Sequence, residues 1–170
     1  FDAVLDHADR RFRQVIADLP DGVYEAVEIS DNDCFEPIET EIRVKMTIDG
    51  DTLDVDFTGT GPQMKGYKNS SVANTYSAVY MGLASFFEPD IPRNEGTFRC
   101  VTITAPKGSV VNPRPPAPMT MNTVFIAHEI VHATWKALSQ ADETRSCAGW
   151  AKSVHGVTSG REAGAEEPFV

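Results

Sequence analysis

The chain has 170 residues, 41% of them hydrophobic and 24% charged, and a formal net charge of −10. That suffices for one domain with a real core, and the acidity argues against a nucleic-acid partner, whose phosphates demand clustered Lys and Arg. No apolar run approaches the roughly 18 residues of a membrane helix, and no basic segment leads into an apolar one as in a secretory signal.

Phe1 to Leu19 reads as a helix, with Phe1, Val4, Leu5, Ala8, Phe12, Val15, Ile16 and Leu19 at helical spacing. Pro20-Asp21-Gly22 stops it, and Val23 to Ile29 reads as a strand before the polar loop Asp31-Asn32-Asp33. From Glu39 to Phe57 the chain alternates. Ile42, Val44, Met46 and Ile48 share one face, Glu41, Arg43, Lys45 and Thr47 the other, and Asp49-Gly50 marks a hairpin turn.

Thr58 to Asn69 is a loop, Val72 to Phe87 an apolar helix, and Glu88 to Gly96 another loop. Phe98 to Ala105 is expected as a strand. Asn112 to Pro118 is a proline-rich extended stretch. Asn122 or Thr123 is expected to cap a third helix that runs to about Ala141, and Lys152 to Thr158 reads as a further strand. There is no βαβ rhythm. The expected class is α+β, with antiparallel hairpins in a mixed sheet and three main helices. Residues 1–170 read as a single domain, or as the central segment of a longer subunit, because neither end resembles a natural terminus.

Cys34, Cys100 and Cys147 are odd in number and form no CxxC pair. This fits free thiols in a reducing compartment, hence the cytoplasm.

The sharpest single motif is His128-Glu129-Ile130-Val131-His132. Histidines four residues apart share a helix face and can hold zinc, with Glu129 as the base on a metal-bound water. The longer pattern fails, however, because Trp135 and Leu138 stand where Gly and a third His would be. The competing reading places both histidines as polar positions on an amphipathic helix. Asp54 and Asp56 share a strand face and form a weaker carboxylate pair, otherwise a wet strand edge. Gly59-Thr60-Gly61 lacks the Lys-Ser/Thr of a phosphate loop. Asn94, Glu95, Asn112 and Arg114 sit in ordered loops, where binding residues concentrate, and are the candidate substrate-chamber residues.

Several blocks together resemble one family. They are Asp21-Gly22-Val23-Tyr24-Glu25, Val55-Asp56-Phe57-Thr58-Gly59, Asn74-Thr75-Tyr76-Ser77-Ala78-Val79-Tyr80, Asp90-Ile91-Pro92-Arg93-Asn94-Glu95-Gly96, Pro106-Lys107-Gly108-Ser109 and Asn112-Pro113-Arg114-Pro115-Pro116. In that order they resemble the hydantoinase B/oxoprolinase family, and the resemblance covers about residues 1–141. It implies part of the B-type subunit of an ATP-dependent hydrolase of cyclic amides, such as hydantoins or 5-oxoproline, or of a related acetone or acetophenone carboxylase. ATP would phosphorylate a carbonyl oxygen. ATP and Mg would sit on a hydantoinase A-like, actin-like partner subunit, and any divalent transition metal would lie in the full subunit outside this segment. The segment itself would help build the substrate chamber and the subunit assembly. The alternative is a zinc metallopeptidase using His128, Glu129 and His132.

Overall fold

The computed structural model describes residues 1–146 and Gly149. The expected strand at Lys152 to Thr158, like Cys147, lies outside the described residues. The elements run α1 (Asp2–Ala17), β1 (Gly22–Ser30), β2 (Thr40–Asp49), β3 (Thr52–Asp56), α2 (Val72–Phe86), β4 (Val101–Thr104) and α3 (Ile126–Ala141), then a short 3-10 turn, Glu143–Arg145. This is an α+β fold: among the described residues, three main helices and a four-stranded mixed sheet in the order β1-β2-β3-β4.

The alternation of β2 and β3 decides which face of the sheet is dry. Ile42, Val44, Met46, Ile48, Leu53, Val55 and Phe57 are buried, while Glu41, Arg43 and Lys45 point to water. Ala26 of β1 pairs with Val44 and joins the same core. Helices cover the dry face, with α3 against β1 and β2, α1 against β3, and α2 alongside α3. Phe12 of α1 meets Phe87 and Phe98 edge-on, at ring separations of 5.4 and 5.8 Å. Such contacts add to the area that aromatic rings bury.

Three expectations are corrected. First, β3 and β4 pair in parallel, Leu53 to Val101 through Asp56 to Thr104. Parallel neighbours need a crossover connection, and α2 supplies it, so the chain does contain a βαβ unit. Second, β4 starts at Val101 rather than Phe98, because residues 96–101 are bent by bonds from Arg99 N to the Gly96 carbonyl and from Val101 N to the Phe98 carbonyl. Third, α3 starts at Ile126, with Phe125 in the cap position and no side-chain cap. Residues 121–125 form tight turns instead, the Met121 carbonyl accepting from both Val124 and Phe125.

The two central helices touch closely at Gly82. A Cβ there would lie 2.8 Å from Thr134 Cγ2, so only glycine admits this approach. Trp135 Nε1 then donates to the Gly82 carbonyl at 3.0 Å. Among the described residues β1 is the edge strand of the sheet, and α3 packs over it. Lys136 Nζ donates to the Val27 carbonyl at 3.3 Å, and Gln140 Nε2 to the Glu25 carbonyl at 2.8 Å. No described helix is long and apolar enough to cross a membrane.

Leu83 is wholly buried on α2, whereas Met81 is 45% exposed. Leu83→Ala is expected to lower the unfolding free energy by about 2–5 kcal/mol, and Met81→Ala to change it by less than about 0.5 kcal/mol. Urea midpoints of the two variants check this.

Candidate functional site

The sheet registers gather one end of the molecule. β1, β3 and β4 all finish there, and β2 begins there. The same end receives the start of α2: Ser70 N donates to the Val110 carbonyl, and Val110 N to the Gly61 carbonyl. It also receives the start of α3. Met121 N donates to the Tyr67 carbonyl, and Asn74 Nδ2 to the Asn122 carbonyl at 3.2 Å. Strand C-termini beside helix N-termini are where ligands settle in sheets with crossover helices.

Three loops cross there: residues 31–36, 64–70 and 118–125. Asp33 is buried, and its carboxylate accepts from Phe35 N and Glu36 N at 2.8 Å each and from Gly66 N at 3.1 Å. The backbone N–H groups of Glu36 and Phe35, then that of Gly66, hold this carboxyl below its ordinary pKa, against the opposing effect of burial. Gly66 lies so close that a Cβ would fall 1.7 Å from the Asp33 carbonyl oxygen.

Asn69 is fully buried and uses its whole amide. Oδ1 accepts from Met64 N at 2.7 Å, and Nδ2 faces the carbonyls of Met64, Gly66 and Pro118 at 2.9 to 3.0 Å. Ser70 and Thr75 are buried beside it. The Thr75 hydroxyl donates to the Val111 carbonyl at 2.7 Å, and Asn74 Nδ2 to Ser70 Oγ at 2.8 Å. Ser71 caps α2 by accepting from Asn74 N at 3.2 Å.

Lys68 lies within this crossing and is 3% exposed. Its ammonium is 3.6 Å from Asp31 Oδ1 and 4.6 Å from the centre of the Phe125 ring. Tyr67 next to it packs edge-on against Phe35 at 5.4 Å. The hydrogen bond that the phenol shares with the Cys34 sulfur, and the negative charge of that group as thiolate, push the Tyr67 phenol up. Cys34 itself adopts a positive φ of 79°. Among the described residues the site offers one buried cation, neutral amides and hydroxyls, and the starts of two helices.

The four loop residues expected from sequence divide between two ends. Asn112 and Arg114 lie at the helix-start end, where Asn112 Nδ2 donates to the Ala105 carbonyl and Arg114 N donates to Gln63 Oε1, each at 2.7 Å. The Arg114 side chain is exposed. Asn94 and Glu95 lie in the loop between α2 and β4, against α1. Asn94 Oδ1 accepts from Gly96 N at 2.9 Å, and Glu95 is exposed. Both asparagine side chains therefore shape turns.

Of the expected zinc motif, Glu129 and His132 are buried in α3 and His128 is half-buried. Among the described residues no group of three His, Cys, Asp or Glu side chains comes together as metal ligands would. His132 lines a cleft of about 320 Å³ along α3 with Trp135, Lys136, Ser139, Ser146 and Gly149. Asp56 accepts from Thr58 N at 2.8 Å and sits 3.6 Å from Lys45 Nζ. Burial opposes its ionisation, but the Thr58 bonds and Lys45 prevail and lower its pKa. Cys100 is buried, and burial pushes its thiol up to about 11.

Sequence reading missed the Lys68 crossing. Gly66-Tyr67-Lys68-Asn69 reads there as an ordinary polar loop, and only the pairing of distant segments turns it inward. The one available hint was the run Asp31-Asn32-Asp33 in one of the three loops that meet.

The sequence profile of the hydantoinase B/oxoprolinase family matches residues 1–170, and the chain belongs to that family. It is 34% identical to the beta subunit of the caprolactamase of Pseudomonas jessenii over 146 residues, 85% of this chain and 25% of that one. It is 31% identical to the B-type subunit of a putative D-/L-hydantoinase of a Pseudomonas species over 157 residues, 86% of this chain and 26% of the relative. The crystal structure of the ATP-dependent caprolactamase from Pseudomonas jessenii superposes with a TM-score of 0.78 at 33% identity, covering 85% of this chain and 25% of that one. An acetone carboxylase structure shares the fold, with a TM-score of 0.67 at 21% identity, over 82% of this chain and 20% of that one. The chain thus spans about a quarter of the length of these relatives.

A lowered carboxyl pKa stabilises the fold above the ordinary carboxylate value of about 3.9, and that stability is lost as pH falls through the lower folded value. Asp33→Asn is therefore expected to lower the melting temperature at neutral pH. The gap to wild type should narrow as pH falls below about 4. Melting curves across the acid range check this, and a gap independent of pH would refute the role given to the Asp33 carboxylate.

Proposed function

We propose that this chain is a segment of the B-type subunit of an ATP-dependent enzyme that hydrolyses cyclic amides or carboxylates ketones. The observation that carries the reading is the joint match in fold and sequence to caprolactamase over 85% of the chain. In this reading the three-loop crossing forms part of a substrate-chamber wall. ATP and Mg bind to a hydantoinase A-like partner subunit in a cytoplasmic hetero-oligomer. A divalent transition metal belongs to the rest of the subunit. Arg114, exposed at the helix-start end beside Asn112, is a chamber candidate. Glu95, with Asn94 at the opposite end, is a candidate for subunit contact.

Phosphorylating a carbonyl oxygen turns a poor leaving oxygen into a good one, which accounts for the use of ATP. A metallopeptidase is not favoured. The relatives described above act by other chemistry, and His128 and His132 gather no third ligand among the described residues.

The test is to purify the intact protein with and without its ATP-binding partner subunit and measure ATP hydrolysis. The expected result is turnover only in the complex, stimulated by a cyclic amide (5-oxoproline, hydantoin or caprolactam) or by a ketone with bicarbonate. Peptide hydrolysis by the protein alone, dependent on stoichiometric zinc and abolished by Glu129→Gln, would overturn the reading.

A further inference from the structure

Lys68 carries a buried charge whose one carboxylate partner among the described residues is distant and exposed. Its side chain retains only 4% of its exposure, and burying an ammonium is costly unless it is paired and hydrogen-bonded. The nearest carboxylate oxygen, Asp31 Oδ1, is 3.6 Å away, beyond hydrogen-bonding distance, on a side chain 83% exposed to screening water. On another side lies the Phe125 ring, at 4.6 Å. An ammonium has three N–H donors, and among the described residues none of those on Lys68 makes a hydrogen bond. A methionine would fill similar space without the desolvation cost.

The surroundings select a negative ligand. Phe125 stands at the start of α3, and Ser71 at the start of α2. The Asn74 to Asn122 bond holds the two starts together. Each helix start presents partial positive charge, although Asn74 N, Ala127 N and His128 N are already bonded within the chain and Glu129 lies in the first turn of α3. The buried carboxylate of the 31–36 loop, Asp33, is consumed by three backbone N–H groups. Among the described residues, Asp31, itself exposed, is the one carboxylate paired with the cation.

We propose that Lys68 binds a phosphoryl oxygen, with Asp31 as the counter-ion that the ligand displaces. This rests on the function proposed above, in which ATP phosphorylates a carbonyl oxygen. Two sources share the chemistry: the phosphorylated substrate, a phosphate monoester, and the inorganic phosphate released from it.

The experiment is titration calorimetry on the intact protein, without ATP or partner subunit, using inorganic phosphate and phenyl phosphate at low ionic strength. Wild type is expected to bind one of them saturably. Lys68→Met should weaken binding by at least about tenfold, and Lys68→Arg should largely preserve it. Asp31→Asn should tighten it. Tighter binding of phenyl phosphate assigns the site to the phosphorylated substrate, and tighter binding of inorganic phosphate assigns it to the product. No saturable binding by wild type, or equal binding by Lys68→Met, overturns the proposal. Should Lys68→Met fail to fold, unchanged affinity in Asp31→Asn overturns it instead. Phosphate binding that persists while the complex shows no substrate-stimulated ATP hydrolysis would sink the reading of the chain as part of such an enzyme and leave the anion site standing.

Discussion

The site-bearing end of this molecule hangs on one buried amide. Asn69 satisfies Met64 N with its oxygen and reaches three carbonyls, including Pro118, with its nitrogen. Without it the 64–70 loop would leave backbone groups buried and unpaired, each a penalty of about 1–3 kcal/mol. That loop positions Lys68, delivers Ser70 and Ser71 to the start of α2, and gives Gly66 its bond to Asp33. The link to Pro118 sets where the turns before α3 begin. Asn69 thus ties the 64–70 loop to Pro118, and Asp33 joins the 31–36 loop to it through Gly66.

A second lock lies in the middle of the helical layer. At Gly82 the α2 backbone packs directly against the Thr134 side chain of α3, and Trp135 bonds across to the Gly82 carbonyl. Because the same two helices start at the loop crossing, their separation there follows from this contact together with the Asn74 to Asn122 bond. A favourable site geometry therefore costs little extra order, since the helices that define it are already fixed by the core.

The sequence displayed whatever is encoded locally. The apolar spacing of Ala8, Phe12 and Ile16 marks α1, and the alternation from Ile42 to Phe57 marks the hairpin and its dry face. Family membership was legible too, because several short blocks recur in order. Non-local pairing was not legible. Nothing in Val101 to Thr104 announces that it joins β3 in parallel across a whole helix. The start of α3 was misplaced because Asn122 looks like a cap, while its carbonyl is in fact committed to Asn74 and to Ala127 N. Lys68 was invisible for a related reason: a lysine among Gly, Tyr and Asn looks solvated until two other loops close over it.

The treatment of β1 carries a last consequence. Outer carbonyls of an edge strand are open valences, ready to recruit another strand. Here those of Glu25 and Val27 are already taken by Gln140 and Lys136 of α3, and Lys136 is also anchored to Glu28 at 2.5 Å. A strand added at that position would have to evict two donors and break an ion pair. Among the described residues, then, the Glu25–Val27 stretch of the sheet border is sealed by the chain's own helix, and a strand arriving there meets committed carbonyls.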